Sequence, residues 1–464
     1  MALEVLKRAK TLIEEEISRN LYVAEPDLHD TRGDRHLLVW GGLGQWVVVD
    51  RDAADFIQLF HYGNTWTSAL QHYSRMKGVE LESARIGARQ LHKELLSRGI
   101  LRHEQGQSIP KDETIKIANV SLNITNRCNL SCPWCYNRKR KTTEMPIEFL
   151  MRRIAQSRFM YTKDASFIIL GGEPFIDAER LMYAIRKAES VFQRPVLLST
   201  NGTLLNRDII RKLSRRSVEI QVSLDSPFPE RHNAIRGEGV YEKAVSNVRN
   251  LVKAGVYTIL SMVYTRDNLD EFEDYLTLGM ELGVNEVRFI PLRLIGGGLK
   301  YTDRVPDQYL AFQHLVCVLE KRPEFKKLLG RDFFSIAMSM CRYSSRRINC
   351  GLGYKTVFID ADGKIYPCPN HVSPGNICGS LEHNSLAGIV MESDVMHRFR
   401  ETFRVTNYPR CQSCAFRAWC AGDCQGEVMA LGRRAGAPSP HCFELQKLYR
   451  EMLWLIADGF RLSN

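Results

Sequence analysis

Three cysteines fall within eight residues, Cys128-Asn-Leu-Ser-Cys132-Pro-Trp-Cys135, directly after a strand-like stretch over 115–124. Sulfurs this close together do not serve separate structural roles. Soft thiolates select zinc or an iron-sulfur cluster over hard cations. Structural zinc is normally closed by four ligands, and no Cys or His lies nearby downstream to complete the trio. Three protein ligands leave one iron of a 4Fe-4S cube open. Zinc, or a buried structural trio, is the competing reading of the same residues.

From residue 115 onward strand and helix patterns alternate. Strands are expected over 115–124, 166–170, 196–199, 218–224, 257–263 and 287–291, with helices near 147–159, 178–192, 207–213, 241–254 and 269–282. Such alternation predicts a parallel α/β layout, and chemistry in such folds sits at the C-terminal ends of the strands. The second strand runs into Gly171-Gly172-Glu173-Pro174, where two glycines admit a close backbone approach and one carboxylate can receive an ammonium. Ser199 and Asn201 end the third strand, and Ser223 and Asp225 end the fourth. Side chains there can hydrogen-bond ribose hydroxyls, although turn and helix-cap chemistry uses the same residue types. His232 and Arg236 follow the fourth strand and suit either a carboxylate, a substrate or a salt-bridged loop.

The Cys-x3-Cys-x2-Cys spacing with Trp134, followed about forty residues later by Gly-Gly-Glu-Pro, resembles the radical S-adenosylmethionine (radical SAM) superfamily. The resemblance implies a partial (βα)6 barrel over 115–299. It also implies a cluster on Cys128, Cys132 and Cys135 whose open iron is chelated by SAM, and cofactor contacts from Gly171, Gly172, Glu173, Pro174, Ser199, Asn201, Ser223 and Asp225. The hard chemistry then belongs to the cofactor, cleaved to a 5'-deoxyadenosyl radical, and the protein aims it.

Ahead of the barrel, 36–49 reads as a hairpin turning at Gly41-Gly42-Leu43-Gly44, followed by helical patterns over 52–60, 65–76 and 81–96 and a close at Gly99-Ile100-Leu101. This winged-helix-like order over 1–101, with Trp46-Val47-Val48-Val49-Asp50 leading into a helix, resembles the small leader-peptide recognition domain found in the pyrroloquinoline quinone peptide chaperone. A DNA-binding winged helix or a packing domain has the same pattern. In the peptide reading the leader adds as a strand on the hairpin edge. Residues 102–114, polar with Pro and Gly, form the expected linker.

Past the Gly296-Gly297-Gly298 run, read as the barrel exit, a helical stretch within 300–345 bridges to a cysteine-rich region over 346–464. Its cysteines are Cys341, Cys350, Cys368 with Gly363 ahead of it, then Cys411, Cys414, Cys420, Cys424 and Cys442. Gly-x4-Cys followed by Cys-x2-Cys-x5-Cys-x3-Cys and a final Cys resembles the SPASM extension of peptide-modifying radical SAM enzymes, with zinc-ribbon sites as the competing explanation. The resemblance implies two further 4Fe-4S clusters: an inner one on Cys350, Cys368 and Cys424, and an outer one on Cys411, Cys414, Cys420 and Cys442. Cys341 is expected to close the inner cluster; an open iron that takes a substrate thiolate is the alternative. Cys317 and Cys378 fit no slot, and His371 and His441 flank ligand cysteines. Pro369 follows Cys368 where sulfatase-maturing members place an Asp base, which disfavours formylglycine formation.

The whole chain agrees with this fold class. At 464 residues, 44% hydrophobic and 25% charged, it is long enough for two to three globular domains. The opening twenty residues carry Glu14, Glu15 and Glu16, which a secretory segment does not tolerate. We therefore expect a cytoplasmic protein without a membrane span, whose thirteen cysteines serve metal rather than disulfides. The net charge of +11 is scattered in short basic pieces, such as 138–141 and Arg346-Arg347, which disfavours nucleic acid as partner and suits anionic electron donors such as flavodoxin or ferredoxin. The expected activity is radical modification of a ribosomally made peptide bound through its leader, with a thioether crosslink foremost. Carbon-carbon crosslinking, oxidative decarboxylation and epimerisation use the same machinery. From another class, an iron-sulfur redox-sensing DNA-binding regulator would leave Gly171 to Pro174 unexplained.

Overall fold

The computed structural model describes residues 21–62, 65–102, 115–137, 142–343 and 347–462. The opening twenty residues, the linker from 103 to 114, the basic run 138–141 and Arg346 lie outside the described residues.

The N-terminal unit contains β1 (Tyr22–Val23), β2 (Leu28–Arg32), β3 (Arg35–Trp40) and β4 (Gln45–Asp50), then helices Arg51–Gln58, Trp66–Lys77 and Leu81–Ser97, and finally β5 (Leu101–Arg102). The expected hairpin is β3 and β4, and β2 adds to it as a third antiparallel strand. That strand reads Leu-His-Asp-Thr-Arg, with a single apolar residue and no alternation to betray it; pairing with β3 makes it a strand. Asp50 accepts from Ala53 N at 2.8 Å and Thr65 from Ser68 N at 3.2 Å, caps worth about 1 kcal/mol each that start the first two helices. Leu38, Trp40, Val47, Phe56, Ile57 and Trp66 fill the small core beneath the sheet.

Six parallel strands follow in sequence order: β6 (Ile117–Asn123), β7 (Tyr161–Leu170), β8 (Val196–Thr200), β9 (Val218–Ser223), β10 (Tyr257–Tyr264) and β11 (Glu286–Pro291). Helices Ile147–Gln156, Ala178–Glu189, Arg207–Leu213, Val240–Lys253 and Phe272–Leu282 make the crossovers. Strand alternation separates the two faces. Val196, Leu198, Val218, Ile220 and Val222 are buried in one core with helix residues such as Ile185, while Leu197, Ser199, Gln221 and Ser223 are half-buried on the opposite, concave face. Strand β11 does not return to pair with β6, so the barrel is partial.

The C-terminal region does not form a layer of its own. Strand β12 (Thr356–Ile359) pairs in parallel with β6, and β13 (Lys364–Tyr366) and β14 (Gly379–Ser380) extend it to a nine-stranded sheet. The helix Cys442–Ala457 packs on helices Gln308–Lys321 and Phe333–Arg342 and also receives the N-terminal unit. Trp454 Nε1 donates to Asp30 at 2.8 Å, Arg32 pairs with Glu451 at 2.7 Å, and Trp46 Nε1 donates to Cys341 O at 2.7 Å. Among the described residues no helix is long and apolar enough to cross a membrane.

Candidate cluster and cofactor sites

The cysteine loop leaves the C-terminal end of β6 and is gripped from several elements. Gly172 N donates to Thr125 O at 2.7 Å and Glu173 N to Arg127 O at 2.8 Å. A Cβ on Gly172 would stand 2.1 Å from Arg127 O. This glycine is therefore needed for the loop's own backbone, whereas the sequence suggested room for a ligand. The Gly296-Gly297-Gly298 run has the same use. Gly297 N donates to Cys135 O at 3.0 Å, and a Cβ on Gly297 would lie 2.6 Å from Pro133 O. A Cβ on Gly296, at φ +58°, would lie equally close to Tyr136 O, at 2.6 Å. Asn129 bridges to Thr203 and Asn201, each at 2.9 Å, and Asp360 from the turn after β12 accepts from Asn123 at 2.8 Å and Asn126 at 3.3 Å.

Glu173 is fully buried. Its Oε1 accepts from Thr200 Oγ1 at 2.7 Å and Phe175 N at 3.1 Å, and its Oε2 from Asn201 N at 2.8 Å. Burial pushes its carboxyl up, and these donors act against the shift. Asp225 is equally buried, but both its oxygens are taken by Arg236, at 2.7 and 3.1 Å, with Val263 N adding a third contact at 3.1 Å. Arg236 in turn faces the cysteines: burial raises the Cys132 thiol and the guanidinium draws it back toward thiolate. Asp225 thus reaches the cysteines through Arg236, with its carboxylate fixed in orientation by these three donors. His232 Nδ1 accepts from Asp225 N at 3.0 Å, and burial lowers its imidazole to about 4, so the ring is neutral. Ser199 and Ser223 stand on the concave face, where Ser199 is in register with Gln221.

Two cavities organise the remaining cysteines. Cys350, Cys368, Cys420 and Cys424 line one of about 380 Å³ together with Asn370, His371 and Met340, so Cys420 stands on both cavities. Cys411, Cys414, Cys420 and Cys442 line a second, smaller one. Cys341 is not on the wall of the first. Phe333, Ile336, Ala337 and Met340 of its helix face that cavity, and Cys341 lies about a quarter turn from their stripe, buried in the core. Cys378 is buried against Asn376 O, Cys317 is exposed on a helix, and His441 engages Glu427 and Glu444.

The donor sets suit iron-sulfur clusters. All thirteen cysteines are free of disulfide bonds. Burial pushes the Cys411 thiol up to about 11 and raises Cys350, Cys368, Cys420 and Cys424, a penalty that a cationic cluster reverses by binding thiolates. Next to the first cysteine loop, Asn137 is 4% exposed with neither end of its amide partnered among the described residues, an orphan that sequence spacing did not flag.

Comparison with known proteins identifies the two halves of this arrangement. The radical SAM superfamily profile matches residues 122–279, and the SPASM iron-sulfur cluster-binding profile matches 350–415. The chain thus carries a radical SAM domain and a SPASM domain. It is 25% identical over 330 residues to the mycofactocin maturase MftC of Mycolicibacterium smegmatis, covering 69% of this chain and 81% of that one. Its fold is similar to that of native anSMEcpe with bound AdoMet, at a TM-score of 0.61, 20% identity, and coverage of 74% of this chain and 99% of the other. It is also similar to Streptococcus suis SuiB bound to its precursor peptide SuiA, at a TM-score of 0.59 and 14% identity, covering 91% of this chain and 99% of SuiB. The radical SAM domain binds SAM and a 4Fe-4S cluster, and the SPASM domain binds auxiliary iron-sulfur clusters.

Proposed function

We propose that this enzyme matures a ribosomally made peptide by joining a cysteine sulfur to a peptide carbon in a thioether. The inner cavity carries this reading. Cys350, Cys368 and Cys424 face about 380 Å³ of space, Cys420 on the same wall is shared with the outer cavity to which its cluster is assigned, and Cys341 is turned into the core. A cluster on three thiolates keeps a coordination position for a fourth, and a peptide cysteine supplies the same soft donor. A maturase among the relatives, and the precursor peptide bound to the similarly folded SuiB, support a peptide as substrate class.

The roles follow the elements that hold each residue. Cys128, Cys132 and Cys135 hold the SAM-binding cluster, with Gly171 to Pro174, Ser199, Asn201 and Ser223 as cofactor contacts. Cys411, Cys414, Cys420 and Cys442 hold the outer cluster. When bound, SAM and the clusters supply the radical that takes a hydrogen atom from a substrate carbon and the acceptor for the electron released as the new bond closes. The chain's own work is to fix the loop through Gly172 and Gly297, to hold Arg236 against the cysteines, and to enclose the reaction away from water. The N-terminal unit receives the leader. Strand β2 pairs on one side only among the described residues, and Arg98 caps Trp46 O of the outer strand β4 at 3.0 Å, so β2 is the edge for strand addition. A basic chain in the cytoplasm suits an acidic flavodoxin or ferredoxin as electron donor.

The test is anaerobic reconstitution with SAM, a strong reductant and a cysteine-containing precursor peptide, followed by mass spectrometry after thiol alkylation. A thioether appears as loss of two hydrogens with one cysteine no longer alkylated. Loss of the elements of formic acid would replace the thioether with decarboxylation. Full clusters without 5'-deoxyadenosine under any reductant would remove the enzymatic reading.

A further inference from the structure

Where the barrel meets the SPASM domain, four charged side chains form a closed, buried group that the proposed reaction leaves unused. Arg293, two residues past β11, donates to Asp423 Oδ2 at 2.9 Å and Oδ1 at 3.0 Å, and to Glu427 Oε2 at 2.9 Å. Glu427 Oε1 accepts from Leu294 N at 2.8 Å, and His441 Nε2 stands 3.3 Å from Glu427. Ser439 Oγ donates to Asp423 at 2.6 Å. Glu427 and His441 are essentially inaccessible.

The group is threaded through both ligand loops. Asp423 directly precedes Cys424 and is held at φ +55°, a left-handed conformation that an L-residue adopts at a cost of about 1 kcal/mol. His441 directly precedes Cys442. Asp423 also lines the cavity shared by Cys350, Cys368 and Cys424. Stability alone is a poor reason for such a group, because replacing buried ion pairs by well-packed apolar residues is often neutral or favourable. A fixed charge in a poorly screened interior has a strong field, and the potential of an iron-sulfur cluster follows the charges and hydrogen bonds around it. Through its two bonds to Asp423 the Arg293 guanidinium is anchored on the residue that directly precedes Cys424.

We propose that Arg293 is a positioning residue whose permanent positive charge, clamped by Asp423 and Glu427, sets the reduction potential of the inner auxiliary cluster. The inference rests on the assignment of Cys350, Cys368 and Cys424 to that cluster. Reduction adds one negative charge, so a nearby guanidinium favours the reduced form and a nearby carboxylate disfavours it. Removing Arg293 and removing Glu427 therefore act in opposite directions.

The experiment is an EPR-monitored redox titration of the reconstituted full chain as wild type, R293Q, R293K and E427Q, with iron counted in each. R293Q shifts the inner-cluster signal to more negative potential, E427Q shifts it to less negative potential, and R293K stays close to wild type. Shifts of one sign in R293Q and E427Q, or none in either at full iron content, would overturn the proposal, since a purely structural link has no reason to follow the sign of the charge. If R293Q loses iron, the comparison of E427Q with R293K decides: a less negative potential in E427Q alone supports the proposal, and equal potentials overturn it. C424A tests the underlying assignment separately, because full iron and an unchanged signal in that variant would remove the cluster from this place.

Discussion

Gly172→Ala separates the two uses of the Gly-Gly-Glu-Pro element. In the structure the added Cβ would lie 2.1 Å from Arg127 O and 2.5 Å from Arg127 C, whereas ordinary contact begins at 3.4 Å. The backbone carrying Cys128 must retreat by more than 1 Å, and the hydrogen bonds to Thr125 O and Arg127 O, worth about 1 kcal/mol each, are strained together. Overpacking of this kind costs about 1–3 kcal/mol, and a displacement of about 1 Å at a catalytic centre costs on the order of 100-fold in rate. We expect G172A to fold, to keep both auxiliary clusters, and to release 5'-deoxyadenosine about 100-fold more slowly. Gly171→Ala is the control. Its Cβ would meet Thr125 O at 3.0 Å, so the cysteine loop need adjust by only a few tenths of an ångström and the loss of rate is smaller than in G172A. The assay is anaerobic 5'-deoxyadenosine release, with iron content and urea unfolding on the same samples. Wild-type cleavage by G172A, or equal loss in G171A, would show that the glycine serves something other than the cysteine loop.

Other consequences follow from the same geometry. Replacing Cys128, Cys132 or Cys135 by Ala should abolish SAM cleavage, whereas C414A should spare uncoupled cleavage, end peptide modification and lower iron from about twelve to about eight per chain; iron analysis and product release check both. Gly41→Val should lower outer-cluster iron, because a Cβ there would lie 2.4 Å from Ala415 O and 2.6 Å from Cys414 O and would push the N-terminal hairpin off that loop; an unchanged iron count would count against this docking. The buried His232, lowered by burial to about 4 from 6.5, takes up its proton more readily unfolded than folded. Its share of stability is therefore complete above about pH 6.5 and declines as pH falls toward 4, by up to about 3 kcal/mol. Urea midpoints of the apoprotein at pH 7 and pH 5 should converge in His232→Gln, and an equal decline in that variant would assign the effect to other groups.

The parts of this protein that were legible in its sequence are those encoded over short distances. Alternating apolar runs place the six barrel strands within a few residues of where they form, except that β7 begins at Tyr161, five residues before the strand expected from 166. The polar segment Tyr-Thr-Lys-Asp-Ala gives no alternation, and the strand runs through it with Tyr161 paired to Ile117 of β6 and a register shift before Ser166. Strand β2 escaped notice for the same reason, and β12 was hidden because nothing local announces that it joins the barrel sheet beside β6.

Cysteine spacing by itself determined the chemistry to expect, since sulfurs three to six residues apart are brought together by any compact loop. Tertiary structure alone decided what surrounds them. Arg236 orients the Asp225 carboxylate, which a strand-tip reading offers to a ribose. Gly172 and Gly297 are spent on the cysteine loop, and Cys341 turns into the core because its helix presents Ala337 and Met340 to the inner cavity. Arg293 finds Asp423 across 130 residues of chain, and Arg32 finds Glu451 across 419. Such partners are chosen by how whole elements pack, so the residue types foretell a site's chemistry while only the folded chain says which charge stands beside which sulfur.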